Sequence, residues 1–143
     1  MDNPCHRVDL FLFRQRDEEP DYLLVRAEPA RESFWGPVSA TVRPEEDMET
    51  AAQRVLLDSC GIADPRPVTD LGHPMRWQIG DELFVEWPFA VDASHLTGDT
   101  PLRLGEALAD ACWDGFDGVY QRAGFDWIRS GLSRLHWHLR GGR

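Results

Sequence analysis

The chain has 143 residues, 42% of them hydrophobic, and a formal net charge of −10. This length suits a single domain with a proper core, expected over residues 1–143, and the negative charge opposes binding to DNA or RNA, whose protein partners carry basic patches. The sequence has neither an apolar run long enough to span a membrane nor a positively charged leader followed by an apolar segment, so we expect a cytoplasmic protein.

Extended segments alternate with polar turns through the first forty residues. Arg7–Arg14 is apolar on both faces, as in a strand that is covered on both sides. The polar run Gln15–Asp21 is predicted as a hairpin turn, Tyr22–Arg26 as the return strand and Ala27–Ser33 as a loop. Phe34–Val42 is predicted as a third extended segment.

A helix is predicted after Pro44, where acidic residues cluster at the end that the helix dipole favours. The helix should end at Gly61, a residue type that favours the left-handed conformation following a helix. Its apolar positions recur at helical spacing and should face the core: Met48, Ala51, Ala52, Val55 and Leu56.

The second half of the chain favours more strands and a last helix. Gly80-Asp81 is a hairpin signal between two of the strands. The aromatic residues of these strands, Trp77 and Phe84 among them, could stack a base, although aromatic residues in strands more often pack within the sheet. The predicted segments are strands Pro67–Leu71, Met75–Ile79 and Leu83–Val91, a loop Asp92–Leu104 lying over a cleft, and a C-terminal helix Phe125–Leu139.

The stretch Gly36–Ile62 resembles the Nudix box, whose pattern is Gly, five residues, Glu, seven residues, Arg-Glu, an aliphatic, any residue, Glu-Glu, any residue, Gly, an aliphatic. Ala40, Val55 and Ser59 replace the first Gly, the Glu after Arg and the last Glu of that pattern. Aligned on Arg54, the residues that match are Glu46, Arg54, Leu56, Gly61, Ile62 and, conservatively, Asp58.

Positions 55, 58 and 59 are spaced to share one face of a helix. Three carboxylates there would bind Mg²⁺ or Mn²⁺, which prefer oxygen ligands and would activate water beside a diphosphate. Here that face is Val55, Asp58 and Ser59, so one carboxylate remains. Arg54 and Asp58 are also spaced for a surface ion pair, the simpler interpretation of those residues.

The run from Phe34-Trp35 to Glu46 is similar to bacterial dihydroneopterin-triphosphate pyrophosphohydrolases, a branch of the Nudix superfamily. The resemblance implies an α/β fold, a Nudix-type α/β/α sandwich with a mixed β-sheet. It also implies roles for individual residues, with Asp110 as an alternative to Glu106. These roles are catalytic for Glu46, Arg54 and Asp58, substrate-binding for Arg26 and Trp35, and metal-binding, for Mg²⁺ or Mn²⁺, for Asp58 and Glu106.

Three functions stay open at this point. The first is a domain that binds a nucleoside- or pterin-type di- or triphosphate with hydrolysis weak or lost. The second is an active divergent pyrophosphohydrolase that uses carboxylates outside the box. The third is a non-catalytic protein-interaction domain, favoured if positions 55, 58 and 59 pack into the core. The expected partner is a small phosphate-containing ligand, with neither a nucleic-acid polymer nor a membrane, and the oligomeric state is open, a homodimer included.

Overall fold

The computed structural model describes residues 3–16, 18–27, 34–64, 67–96 and 102–141. Strands and helices follow one another in the order expected of an α/β sandwich. They are β1 Cys5–Arg14, β2 Asp21–Ala27, β3 Val38–Thr41, α1 Met48–Cys60, β4 Val68–Asp70, β5 Met75–Ile79, β6 Glu82–Asp92, β7 Leu108–Asp114, α2 Phe116–Arg122 and α3 Asp126–Leu139.

The strands form one mixed sheet with β1 at its centre. The main order is β4-β6-β1-β2-β7, with β3 also paired to β1 and β5 also paired to β6. The pairing of β1 with β6 is parallel, whereas β2 and β3 run antiparallel to β1. The predicted mixed sheet is therefore confirmed.

Helices cover both faces of this sheet. Val8 and Leu10 of β1 face α1 in one core cluster, and the alternate residues Phe11 and Phe13 pack with α3 in another. Side chains alternate between the faces of a strand, so a central strand under two helical layers needs apolar residues on both sides. The α/β/α sandwich predicted from the sequence is confirmed.

Both ends of α1 follow the local signals of the sequence. At the N-terminus the Asp47 carboxylate accepts a hydrogen bond from the Thr50 backbone N–H at 2.7 Å. At the C-terminus Gly61 has φ +72°, and its N–H donates to the Leu57 carbonyl at 3.0 Å. Such caps satisfy backbone groups that a helix leaves unpaired, so the predicted end of the helix is confirmed.

Some predicted elements have different bounds in the structure. Phe34–Val42 was predicted as extended throughout, but β3 is limited to Val38–Thr41, preceded by an isolated bridge between Gly36 and Val25. Residues 28–33 of the predicted loop Ala27–Ser33 and residues 97–101 of the predicted loop Asp92–Leu104 lie outside the described residues, and Asp92 itself belongs to β6.

The three cysteines of the described segments are free thiols, with Cys60 buried and Cys5 and Cys112 half-buried. Burial raises the pKa of the Cys60 thiol to about 12. No helix in the described part of the chain has the length and apolarity needed to cross a membrane.

Candidate functional site

Glu46 and Arg54, two residues that match the box pattern, form an ion pair. Arg54 Nε donates to Glu46 Oε2 at 2.7 Å and Arg54 Nη2 donates to Glu46 Oε1 at 2.9 Å. Arg54 also donates to the Thr41 carbonyl at 2.9 Å, and Glu46 accepts from the Arg43 backbone N–H at 2.9 Å. The Arg54 hydrogen bond is the largest cause that lowers the pKa of Glu46 to about 2.

This geometry assigns the partner of Arg54. The surface ion pair anticipated with Asp58 is replaced by the pair with Glu46, because Arg54 points back toward the N-terminus of α1. These hydrogen bonds connect the loop before α1 to β3 and to the helix, so Glu46 and Arg54 stabilise the structure of the box.

The three positions of α1 considered as a metal-binding face differ in their exposure to solvent. Val55 is only 1% exposed and belongs to the core, whereas Asp58 is exposed and Ser59 is half-buried. The predicted place of Val55 in the apolar stripe of the helix is therefore confirmed. Glu106 is exposed.

The donor set does not fit a divalent cation at this helix. Within the described ranges, no group of three His, Cys, Asp or Glu side chains is placed to hold a metal ion. Asp58 is the single carboxylate among positions 55, 58 and 59, and an apolar Val55 supplies no ligand.

Arg26 and Trp35 lie against each other. The Arg26 guanidinium carbon is 4.8 Å from the centre of the Trp35 ring, and that of Arg122 is 5.3 Å away. Arg26 is also paired with Asp110 at 2.6 Å, and both side chains are partly exposed.

A cavity of about 630 Å³ lies on another part of the sheet. Its walls are largely apolar and aromatic. Trp77 and Phe84 stack at 4.3 Å with their planes 13° apart, and Phe34 and Phe125 meet edge to face at 4.6 Å. The lining residues come from six strands, from the segment before β3 and from the start of α3: Arg7, Val25, Ala27, Phe34, Gly36, Pro37, Ser39, Met75, Trp77, Phe84, Glu86, Leu108, Phe125 and Trp127.

A buried carboxyl group, that of Glu86, lines this cavity, and a second, that of Asp9, lines a smaller cavity that also includes Glu86. Glu86 accepts from Arg7 Nε at 3.3 Å and from Trp77 Nε1 at 2.8 Å. On the neighbouring strand, Asp9 accepts from Ser39 Oγ at 2.6 Å. Asp9 is 0% exposed and Glu86 3% exposed, so both carboxyl groups are shielded from water.

The predicted site residues do not line this cavity. By the alternation of β1, Arg7 and Asp9 share the sheet face of Phe11, which packs with α3, whereas α1 packs on the opposite face. Val25 and Leu108, which also line the cavity, belong instead to the core cluster that packs with α1, so the cavity has walls from both faces of the sheet.

Sequence reasoning missed Asp9 and Glu86 as candidate site residues. The signal was present, because each is an acid inside an otherwise apolar strand, in VDLFLF and LFVEWPF. A carboxylate in such a strand is costly to bury and therefore points to a partner or a site.

Comparison with solved structures relates the whole architecture to Nudix proteins, although no family model matches the chain. The E. coli dihydroneopterin triphosphate pyrophosphohydrolase superimposes with a TM-score of 0.77 at 13% identity, covering 93% of this chain and 95% of that one. A C. elegans Ap4A hydrolase complex gives 0.75 at 18% identity, covering 96% and 98%. The Nudix domain of Shewanella oneidensis NrtR, complexed with ADP ribose, gives 0.76 at 16% identity, covering 97% and 90%.

One curated protein has a similar sequence. An octanoyltransferase from Myxococcus xanthus is 27% identical over 135 residues, which include 92% of this chain. The chain spans 36% of the length of that protein. The sequence likeness is thus confined to part of a longer relative, whereas the structural likeness extends over nearly all of each neighbour, and on that evidence this chain has the Nudix fold.

Proposed function

We propose that this chain is a binding domain that takes a nucleoside- or pterin-type di- or triphosphate, with metal-dependent hydrolysis weak or lost. The observation that carries the proposal is the 630 Å³ cavity with aromatic walls and a polar floor. Ligand pockets are commonly about 300–1,000 Å³, mostly apolar, with a few polar groups that orient the ligand.

The aromatic residues favour a flat ring as the part of the ligand that enters. Trp77 is fixed by its hydrogen bond to Glu86 and by stacking on Phe84. Phe34 and Phe125 are 46% and 48% exposed, so they present free aromatic surface at the entrance. Stacking against such rings is worth about 0.5–1.5 kcal/mol beyond the area that it buries.

The phosphates of the ligand would leave the cavity on the side of β2. Val25 and Ala27 line the cavity, whereas the side chain of Arg26, between them in sequence, lies on the other face of β2 with its guanidinium beside Trp35. Because β2 ends at Ala27, the phosphates would reach Arg26 around the end of the strand. The partly exposed pair of Arg26 with Asp110 is a single hydrogen bond and can exchange its carboxylate for a phosphate, which a guanidinium can bind through two N–H groups. Arg122, also beside Trp35, adds a second positive charge.

Weak or lost hydrolysis follows from the composition of α1. Removal of one electrostatic contributor at a reacting centre commonly lowers a rate by about 10²–10³, and two of the box carboxylates are replaced here. Carboxylates outside the box, with Glu106 and Asp110 as candidates, remain the basis of the alternative of an active divergent hydrolase.

The structural neighbours support the ligand class. Their descriptions name dihydroneopterin triphosphate, Ap4A and ADP ribose, compounds that join a heterocycle to a chain of phosphates. The net charge of −10 favours a small ligand of this class over a nucleic-acid polymer.

An acyl chain is a second candidate for the cavity. The observation that favours it is the likeness to part of an octanoyltransferase, together with the apolar walls. The carboxylate of Glu86 at the floor would repel the carboxylate of a free fatty acid, so an amide or ester of the acid suits this cavity better.

Binding is tested by thermal shift and calorimetry with nucleoside di- and triphosphates, a pterin analogue and octanamide, first in EDTA and then with Mg²⁺. We expect a phosphate-containing ligand to raise the melting temperature in EDTA. A parallel assay of phosphate and diphosphate release should give little product with Mg²⁺. Strong Mg²⁺-dependent release would instead support the active hydrolase. Binding of octanamide but of none of the phosphate compounds would support the acyl pocket.

A matched pair of variants locates the binding site. Phe125→Ala removes an aromatic group from the cavity entrance and should weaken ligand binding by about 2- to 10-fold. Trp137→Ala removes an aromatic group that is 64% exposed and absent from the cavity lining, so affinity should be unchanged. If no ligand binds at millimolar concentration, the proposal fails and a protein-interaction role is favoured.

A further inference from the structure

Asp9 and Glu86 are two buried acids that share one neighbouring positive charge. They lie on β1 and β6, which run parallel and adjacent, with Arg7 in register with Glu86. Asp9 follows Arg7 by two positions and therefore lies on the same face of β1. Arg7 Nε is 3.3 Å from Glu86 Oε1. Among the described residues, Arg7 is the one cation that forms an ion pair with either acid.

The hydrogen bonds around the two acids require a proton between them. Glu86 accepts on both oxygens, from Arg7 Nε and from Trp77 Nε1. Asp9 Oδ1 accepts from Ser39 Oγ, whereas Asp9 Oδ2 is buried and has no donor within the described part of the chain. The carboxyl group of Asp9 lies within hydrogen-bonding reach of that of Glu86. Two carboxylates would only accept and repel, so this contact is a hydrogen bond when one acid is protonated.

The surrounding donors decide which acid holds the proton. Glu86 receives a charge-assisted hydrogen bond from Arg7 and a second from an indole, and both favour its carboxylate form. Asp9 receives one, from a neutral hydroxyl. Burial is the largest cause that raises the pKa of Asp9 well above its ordinary value, and the charge of Glu86 and the hydrogen bond to it add to this, against Ser39 and Arg7. The negative charge of the pair therefore resides on Glu86.

Other charged or titratable groups lie across the smaller cavity, which has a volume of about 110 Å³. Among the described residues that line it, these are His73, exposed before β5, and Arg134, on α3. Arg134 Nη1 donates to Ser130 Oγ at 3.2 Å. Neither group contributes to the shift in the pKa of Asp9. The imidazole of His73 is nevertheless a group that a pH experiment must separate from Asp9.

Glu86 also fixes an aromatic wall of the larger cavity. Trp77 Nε1 donates to Glu86 Oε2 at 2.8 Å, and the Trp77 ring stacks on Phe84 at 4.3 Å. All three residues line the larger cavity. A second negative charge, on Asp9, would repel Glu86 in a region shielded from water. Movement of Glu86 away from Asp9 would also move the acceptor of the Trp77 indole.

We propose that Asp9 and Glu86 share one buried proton, held by Asp9 and donated to Glu86, and that this proton positions Trp77 as a wall of the larger cavity. The pair is a pH-sensitive device of the sheet that operates whatever ligand the cavity takes. A raised carboxyl pKa contributes stability that is present below the ordinary value of 3.8 and is lost as the pH rises through the folded value. A rise in pH should therefore loosen the wall.

Nuclear magnetic resonance of the wild type detects the proton directly. The carboxyl carbon of an aspartic acid has different chemical shifts in its protonated and ionised forms. At pH 6 the Asp9 carbon should have the shift of a protonated acid, and it should move toward that of a carboxylate as the pH rises. The indole N–H signal of Trp77 should move with it. A carboxylate shift for Asp9 at pH 6 would overturn the proposal.

Asp9→Asn copies the protonated acid, because its amide can accept from Ser39 and donate to Glu86. The ratio of the unfolding constant of the wild type to that of this variant should rise by up to about 10-fold per pH unit between the ordinary and folded pKa of Asp9, since unfolding then releases one proton. Urea denaturation from pH 5 to pH 8 measures this ratio.

Two control variants should keep the wild-type pH dependence. Asp64→Asn makes the same chemical change at an exposed position after α1. His73→Asn removes the imidazole from the smaller cavity, and asparagine tolerates the positive φ of 53° found at that position. Loss of the pH dependence in His73→Asn, with Asp9→Asn unchanged from the wild type, would assign the titration to the imidazole and overturn the proposal.

Glu86→Gln separates the charge from the proton. It turns one accepting oxygen into a donor, so Arg7 or Trp77 loses its acceptor. The unfolding constant at pH 6 should exceed that of Asp9→Asn by at least about 10-fold, the effect of one unsatisfied buried group. The Trp77 indole signal should shift in Glu86→Gln and stay at its wild-type position in Asp9→Asn. The signal of Trp137, which is 64% exposed, should be unchanged in both.

The outcomes decide the two parts of the inference. A constant ratio of unfolding constants between wild type and Asp9→Asn would overturn the shared proton. A Trp77 signal that is unchanged in Glu86→Gln, or that stays fixed in the wild type while Asp9 titrates, would overturn its positioning by the pair. If either variant fails to fold, the Asp9 and Trp77 signals of the wild type still decide. No measurement here uses a ligand, so failure of this inference leaves the proposed function standing.

Discussion

Arg54 holds Glu46 through two hydrogen bonds of 2.7 and 2.9 Å across eight residues of sequence. The same guanidinium donates to the carbonyl of Thr41 at the end of β3. One side chain therefore joins the strand that enters the box, the loop and the helix. Planar, bidentate geometry of this kind is specific to arginine, since a lysine ammonium cannot reproduce the fork.

The first prediction is that Arg54→Met destabilises the fold and that its effect depends on pH. The folded pKa of Glu46, about 2, lies below the ordinary 4.5. A depressed carboxyl pKa means that the contribution of the pair is present above the unfolded value and is lost as the pH falls through the folded value. The difference in unfolding free energy between wild type and variant should therefore shrink from pH 5 toward pH 2.

Urea denaturation at several pH values measures this difference. Arg76→Met is the matched control, because Arg76 is exposed on β5. It should change stability by no more than about 0.5 kcal/mol. A variant at Arg54 that is as stable as the wild type at pH 7, or a difference that grows in acid, would contradict the prediction.

The second prediction is that restoring the missing box glutamate at position 55 destabilises the protein. Val55 is 1% exposed among apolar neighbours of β1 and α1. Val55→Glu would bury a carboxyl group without a partner, which we expect to destabilise the protein by about 3–5 kcal/mol at pH 7. Chemical denaturation measures the loss.

Leu57→Glu provides the matched control on the same helix. Leu57 is 52% exposed, so the new carboxylate stays hydrated and stability should change by no more than about 0.5–1 kcal/mol. Equal stability of the two variants would mean that α1 can rotate to bring position 55 into solvent.

The sequence predicted most of the fold because its local signals agreed with the tertiary structure. Asp47 and Gly61 terminate α1 where a cap residue and a left-handed glycine favour it. The apolar residues on both faces of β1 predicted a strand that is covered on both sides. These features depend on near neighbours in the chain and need no knowledge of distant contacts.

Position 55 exposes the limit of that reasoning. Val55 satisfied two patterns at once, the apolar stripe of the helix and the ligand face of the box, and hydrophobic burial determined its position in the structure. Asp9 and Glu86 illustrate a second limit, since they are 77 positions apart by their numbering and only the parallel pairing of β1 and β6 brings them to one face. Pairing of distant strands is set by the whole sheet, so sequence periodicity predicts neither the pair nor the cavity above it.

The third prediction is that Mg²⁺ has little effect on stability. With Asp58 as the one carboxylate on its helix face, we expect a dissociation constant of millimolar or weaker. A ligand at its dissociation constant stabilises a protein by about 0.4 kcal/mol, equivalent to about 1–2 °C in a domain of this size. Thermal melts in millimolar Mg²⁺ and in EDTA should therefore differ by no more than that, and micromolar affinity by calorimetry would contradict the prediction.

The last prediction concerns the contact between residues 103–105 and the end of α1. The backbone N–H groups of Arg103 and Gly105 donate to the carbonyls of Cys60 and Ser59 at 3.1 and 3.0 Å. These bonds satisfy carbonyls that the helix leaves unpaired at its C-terminus. A Cβ at position 105 would overlap the backbone carbonyl of Asp58, so Gly105→Ala must displace the segment from the helix.

We expect Gly105→Ala to destabilise the protein by about 1–3 kcal/mol, the usual effect of forcing an extra carbon into a packed site. Gly115→Ala is the matched control, because its Cβ would meet nothing within 4 Å and its φ is −67°. That change should be close to neutral, since reduced freedom of the unfolded chain offsets a slightly poorer helix cap. Urea denaturation of both variants measures the contrast. Equal stability of the two would mean that the 103–105 segment adjusts its backbone without losing its hydrogen bonds to α1, and amide hydrogen exchange at Arg103 and Gly105 would then remain as slow as in the wild type.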